Sequence, residues 1–184
     1  MLLRFVLFAE VKKADMHEGK RNILKEWIRS IIEAAIILAV LFVFFWPAKV
    51  EGVSMSPSIN DNDRVIICRF AAYTGMYEKG DLVVFDDEDY SQNMIKRIIA
   101  VEGDTLHIAG GKVYVNGEEL EEDYAEGYTE GDVYMVIPQG CVFVMGDNRE
   151  KSIDSRYFGV VSTDNIYGRV LMRFFPLNEI EIFK

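Results

Sequence analysis

The twenty residues from Trp27 to Trp46 constrain this chain more than any others. As a helix they would span about 30 Å, the thickness of a bilayer's hydrocarbon core. Only Arg29, Ser30 and Glu33 interrupt the run, all near its start, and Ala34 to Trp46 is 13 apolar residues without a break. Tryptophan stands at both ends, where aromatic side chains mark the membrane interface. A cleaved leader needs a shorter core followed by a small-x-small site, whereas this run closes on Phe44-Phe45-Trp46-Pro47. An interfacial helix needs a polar face, which the second half lacks, and a buried core helix would leave the unbroken stretch without cover. The sequence therefore predicts a tail at 1–26, a single membrane anchor at 27–46 and a main domain at 47–184.

Charge supports an orientation. Seven basic residues stand against five acidic ones before Pro47, and 13 against 25 from there on. Basic residues gathered ahead of the anchor predict a cytoplasmic tail and a domain on the outer side of the plasma membrane. The acidic main domain offers no basic stripe to neutralise phosphates, so nucleic acid is not an expected partner.

After Pro47 the texture changes to short runs rich in Val, Ile, Phe and Tyr. Strands are predicted at Arg64–Arg69, Asp81–Phe85, Met94–Glu102, Thr105–Ile108, Lys112–Val115, Val133–Ile137, Val142–Met145 and Ile166–Phe174. Turn signals fall between them at Asn60-Asp61-Asn62-Asp63, Gly103-Asp104, Gly110-Gly111 and Asn116-Gly117, the last typical of a type I′ hairpin. Short, regularly spaced strands with no helical period predict a mainly β, antiparallel domain of barrel-like or sandwich-like build behind one N-terminal transmembrane helix. The acidic stretch Glu118–Asp132, eight carboxylates and no base, reads as a solvated loop. Cys68 and Cys141 have no metal-ligand spacing and are too few for a disulfide framework; they read as two buried free thiols, or as a pair if the fold brings them together. His17 lies in the tail and His107 in a strand without an acidic partner, no zinc cluster or phosphate loop is evident, and no cofactor or metal is expected.

Two stretches carry chemistry. Glu51-Gly52-Val53-Ser54-Met55-Ser56-Pro57-Ser58-Ile59 sets an isolated hydroxyl in a turn stiffened by proline, close to the end of the anchor. Met94-Ile95-Lys96-Arg97-Ile98-Ile99 puts a lysine inside an apolar run. Taken alone, such a serine is ordinarily a turn residue and such a lysine a solvent-facing one. Together with Gly80-Asp81-Leu82-Val83-Val84-Phe85 and the polar cluster Gly146-Asp147-Asn148-Arg149…Ser152…Asp154-Ser155-Arg156…Gly159, they appear in the order found in bacterial type I signal peptidases, and from Trp27 onward the chain resembles that family. Departures are modest: Ser58-Ile59 where Thr-Leu is usual, Met94 for a common Tyr, and Ala100 and Glu102 for Gly and Pro. Gly52 stands where Gram-negative members carry a second hydroxyl, and their large inserted subdomain is missing, so the resemblance is to the compact Gram-positive type.

The resemblance implies a Ser–Lys endopeptidase with Ser54 as nucleophile and Lys96 as general base. It further implies that Ser152 hydrogen-bonds and orients Lys96, that Asp154 and Arg156 pair to hold the loop, and that Gly52 supports the site without a side-chain oxyanion donor. Val50, Ile59, Val84, Met94 and Ile95 are the implied substrate-pocket walls. A serine hydroxyl needs an adjacent base, and lysine serves as one only where desolvation lowers its pKa. Ile95, Ile98, Ile99 and the bilayer edge are expected to supply that desolvation, although strand alternation turns Ile95 and Arg97 to the face opposite Lys96. Expected partners are secretory preproteins, cut after small residues at −1 and −3, and membrane lipid touched through Met55, Tyr73 and Met76, by a monomer. Two other readings compete: a self-cleaving Ser–Lys peptidase of the SOS-repressor kind, against which the anchor speaks, and a catalytically silent peptidase-derived scaffold, against which the retention of Ser54, Lys96, Ser152 and Asp154 speaks.

Overall fold

The structure is a computed structural model that describes residues 25–87 and 92–183. The predicted tail lies outside the described residues but for its last two. Helix α1 runs Lys25–Phe44, is long and apolar enough to cross a membrane, and buries none of its side chains. It stops two residues short of the predicted anchor. Phe45 and Trp46 open strand β1 (Phe45–Lys49), which pairs antiparallel with β2 (Arg64–Cys68) from Phe45↔Cys68 to Lys49↔Arg64. Pro47 accounts for the correction: its ring and missing N–H end a helix, but cost nothing at the outer edge of a sheet. The compact units accordingly divide between Val43 and Phe44.

From Phe44 onward the chain is antiparallel β. After β2 come the short helix α2 (Phe70–Thr74), β3 (Leu82–Asp87), β4 (Gln92–Val101), β5 (Thr105–Ala109), β6 (Lys112–Val115), β7 (Glu118–Glu119), β8 (Val133–Val136) and β9 (Cys141–Met145). Helix α3 (Ser155–Phe158), β10 (Val161–Ser162), β11 (Ile166–Phe175) and β12 (Glu181–Ile182) complete it. One sheet has the order β1-β2-β11-β3-β4-β9-β10 with β12 beside β11, and the other is β7-β6-β5-β8. Every predicted strand is present within two residues at either end. Those missed are β1, which continues the anchor's apolar composition, and β7, β10 and β12, whose two residues carry no period to detect. Asn116 and Gly117 take φ of 57° and 85°, the paired left-handed conformation of a type I′ turn, and connect β6 to β7.

Three apolar clusters form the core. Val50, Met55, Ile59, Val65, Ile67, Leu82, Val84 and Val170 pack beneath β1 and β2. Val83, Phe85, Ile98, Val142, Val144, Val161 and Ile166 pack along the middle of the large sheet. Leu106, Ile108, Val113 and Val115 of the small sheet pack with Ile99, Ala100, Phe143 and Met145 of the large one. Cys68 and Cys141 are free but half-buried rather than buried, and β11, β3 and β4 separate their strands.

Candidate active site

The turn bearing Ser54 is built by its polar neighbours. Val50 N donates to Asp63 O at 2.8 Å and Asn62 N to Val50 O at 2.9 Å, closing a loop whose ends meet beside β1 and β2. Inside it, Gly52 N donates to Asp61 Oδ1 at 2.9 Å and Asn60 N to Asp63 Oδ2 at 2.8 Å. Arg173 on β11 reaches across with bonds to Asp63 Oδ2 at 3.2 Å and Ser58 O at 3.0 Å. The Asn60–Asp63 turn signal is thus also a brace for the serine turn. Gly52 has φ +102°, a conformation that side chains resist, so its glycine is required by the backbone rather than by the chemistry. Met55, expected at a lipid-facing surface, is 2% exposed and belongs to the core. It points inward because the turn folds over β2 and β3, whereas Tyr73 and Met76 are 68% and 66% exposed.

Lys96 meets this turn from β4. Its Nζ donates to Ser54 Oγ at 2.8 Å, and the residue is 4% exposed. Burial drives its pKa down from 10.5 to about 8, with Asp154 and Asp147 pulling it back up and Arg156 adding to the decrease. Holding an ammonium there costs about 3 kcal/mol relative to water.

Both faces of β4 contribute to one cleft, for a topological reason. Residues 92–97 of β4 pair with β3, but only Arg97 to Val101 pair with β9. One edge of β4 is therefore open from Asn93 to Lys96, and side chains of either face border it. A cleft of about 970 Å³ runs along this edge, lined by Val50, Gly52, Ser54, Val84, Met94, Ile95 and Lys96. Alternation holds along the strand, yet Ile95 still borders the same space as Lys96. Trp46, Lys151, Ile153 and Tyr167 also line the cleft and were not anticipated. Ile59, expected as a pocket wall, is not among the lining residues. At 0% exposed it sits in the core, its N–H bonded to Met55 O at 2.9 Å. Ile59→Ala should cost about 2–5 kcal/mol of stability in a denaturant titration. An unchanged stability would take Ile59 out of the core.

The segment after β9 closes the site. Asn148 N donates to Ser54 O at 3.0 Å. Asp154, fully buried at the N-cap of α3, accepts from Gly146 N at 3.0 Å and pairs with Arg156 at 2.8 and 2.9 Å. The Asp154–Arg156 pair thus has the geometry that the family resemblance implies. Ser152 does not: its Oγ is buried with no hydrogen-bond partner among the described residues, and no bond to Lys96 forms. The hydroxyl instead abuts Gly146, where a Cβ would lie 2.3 Å from it. Among the described residues, Lys96 Nζ bonds Ser54 alone.

The solvated-loop reading of 118–132 holds for most of the stretch, which is largely exposed, but not for Glu122, Tyr124 and Thr129. Glu122 makes a two-point pair with Arg149 at 2.6 and 2.9 Å, Thr129 is buried, and Glu126 bonds the backbone on both sides of Asn148. Composition hid this, since an acidic run looks alike whether or not one carboxylate finds a buried arginine; the tyrosines within it, Tyr124 and Tyr128, were the only available signal.

A buried, desolvated lysine is bonded to a serine hydroxyl beside the cleft, which puts an amine and an alcohol within proton-transfer distance of each other. The family model described as "Signal peptidase, peptidase S26" matches residues 24–175. The signal peptidase I of Bacillus licheniformis is 34% identical over 175 residues, covering 88% of this chain and 94% of its own. Signal peptidase IB of Staphylococcus aureus (strain Mu50) is 36% identical over 181 residues, covering 86% and 93%. A crystal structure of a signal peptidase I from Enterococcus faecalis V583 superposes on 51% of this chain and 96% of that one, at 29% identity and a TM-score of 0.47.

Proposed function

Because this chain belongs to the signal peptidase family, peptidase S26, and is thereby a serine endopeptidase that removes signal peptides, we propose that Ser54 is its nucleophile and Lys96 its general base. The observation that carries the proposal is the 2.8 Å bond between Lys96 Nζ and Ser54 Oγ in a site that lowers the amine's pKa. The neutral amine takes the Ser54 hydroxyl proton as Oγ attacks the scissile carbonyl. Among the described residues the Ser54 N–H has no acceptor, and it donates to the developing oxyanion. The ammonium then passes its proton to the leaving amine, giving an acyl-enzyme and the mature N-terminus. In the second half Lys96 takes a proton from water, whose oxygen attacks the ester carbonyl; the bond from that carbon to Ser54 Oγ then breaks, the ammonium returns its proton to Ser54 Oγ, and the signal peptide leaves with a free carboxyl group.

The substrate is an extended segment with small residues at −1 and −3. Two unpaired strand edges border the cleft, the outer edge of β1 and the open edge of β4, and an extended peptide adds to such edges with alternate side chains entering pockets. Val50, Val84, Met94 and Ile95 supply the walls. Helix α1 anchors a monomeric enzyme in the plasma membrane with its N-terminus cytoplasmic and its β domain outside. Exposed Phe70, Tyr73 and Met76 meet lipid. Nucleic acid has no part.

The test is pH dependence. The base must be neutral, and with a pKa of about 8 roughly a tenth of it is so at pH 7. The value of kcat/KM, measured on a preprotein in detergent, should therefore rise about tenfold per pH unit up to about 8 and level off above it. A rise centred near 6.5 would point to an imidazole and against Lys96.

A further inference from the structure

The acidic stretch 118–132 takes no part in the chemistry, yet it delivers two side chains to the segment that holds Ser54. The Tyr124 ring lies against Arg97, whose guanidinium carbon is 4.0 Å from the ring centroid, and its hydroxyl donates to Glu122 Oε1 at 3.0 Å. Arg97 in turn donates twice to Asp147, at 2.8 and 2.7 Å. Glu122 grips Arg149, which is 2% exposed and also donates to Gly146 O at 3.0 Å and Thr129 Oγ1 at 2.8 Å. Backbone bonds of 2.8 Å from Glu126 N to Asp147 O and from Arg149 N to Glu126 O run along the same seam. The opposite side of this segment touches the nucleophile turn, through the Asn148 N–H bond to Ser54 O and the close approach of Gly146 to that same carbonyl. Gly146 to Arg149 is therefore held between the acidic stretch and the serine.

We propose that Glu122 and Tyr124 form a clasp that fixes Ser54 against Lys96, acting through Arg149, Arg97 and the 146–149 backbone, and are positioning residues for peptide-bond cleavage. The proposal rests on the Ser54–Lys96 reading. Glu122 is the only carboxylate among the described residues that hydrogen-bonds Arg149, and a buried guanidinium left without its partner pulls its surroundings into a new arrangement. The Tyr124 ring lies against the Arg97 guanidinium whose N–H groups bond Asp147, limiting the directions in which that pair can move. Reaction geometry is sensitive on this scale, since a displacement of about 1 Å costs roughly a hundredfold in rate.

The experiment uses the full chain in detergent micelles, with kcat and KM measured on a preprotein and thermal unfolding recorded for each variant. Tyr124→Ala and Glu122→Gln are expected to lower kcat by about tenfold or more while KM stays within about twofold, at temperatures where both variants are folded. Tyr124→Phe, which keeps the ring over Arg97, should bring kcat back to within about threefold of the parent. Wild-type kcat in Tyr124→Ala overturns the clasp. So does a loss that disappears on correction for the folded fraction, or a Tyr124→Phe as slow as Tyr124→Ala. Should Glu122→Gln fail to fold, Tyr124→Ala and Tyr124→Phe decide the matter. A Ser54→Ala control separates the two readings: inactive Ser54→Ala beside fully active clasp variants rejects the clasp alone, whereas active Ser54→Ala rejects the dyad beneath it.

Discussion

Lys96→Ala is expected to yield a folded protein that no longer cuts a preprotein, with kcat reduced by about 10³-fold or more, and Ser54→Ala should be at least as inactive. The two changes remove the two ends of one 2.8 Å hydrogen bond. Loss of activity through unfolding is not the expected cause. Lys96 is buried in a site that disfavours its charge, so deleting it relieves a desolvation cost rather than breaking a stabilising ion pair. Melting temperatures at or above that of the parent, together with absent cleavage, are the combined signature. The same measurement disposes of the silent-scaffold alternative, which requires the parent itself to be inactive. Substantial cleavage by either variant would move the chemistry elsewhere. His107, the one imidazole among the described residues, lies on β5 in ring contact with Tyr114 and Tyr134, with centroids 5.8 and 5.6 Å away, and does not line the Ser54 cleft.

Gly146→Ala should produce the second large effect, for a different reason. A Cβ at this position would lie 2.3 Å from Ser152 Oγ, 2.5 Å from Ser152 Cβ and 2.5 Å from Ser54 O. A hydroxyl can rotate away, but Ser54 O belongs to the backbone and already accepts from Asn148 N. Ser152 Cβ cannot rotate away either, so relief moves main chain, that of the nucleophile included. The expected outcome is a stability loss of about 1–3 kcal/mol from overpacking and a fall in kcat of roughly a hundredfold from the displaced Ser54. Gly168→Ala is the matching control. Its Cβ would lie 2.5 Å from Cys68 O, an equally tight backbone clash on β11, so it should destabilise comparably but spare kcat in the folded fraction. Equal kcat losses in both variants would show that general softening, not the approach to Ser54, is responsible.

The acidic stretch shows where composition misleads. Glu122 and Glu119 are the same residue type three positions apart, yet Glu122 grips a buried arginine whereas Glu119 pairs with exposed Lys112. No local signal separates them, because the difference lies in what Arg149 does some thirty residues later. Ile59 failed in the opposite sense. Its place in the serine box suggested a pocket wall, but an apolar side chain is equally at home in a core, and the turn carries it inward.

The sequence by itself determined the apolar helix, eight of the twelve described strands, the turn residues and the order of the serine, lysine and Gly146–Arg156 motifs. Each of these is written in short-range periodicity or in residue chemistry at fixed spacing. Tertiary structure alone decided that β4 leaves its edge open from Asn93 to Lys96, that Ser152 turns to Gly146 rather than to Lys96, and that half-buried Glu122 pairs with buried Arg149. Such facts depend on contacts between residues far apart in the chain, where strand register and packing choose among partners that the local sequence leaves equivalent.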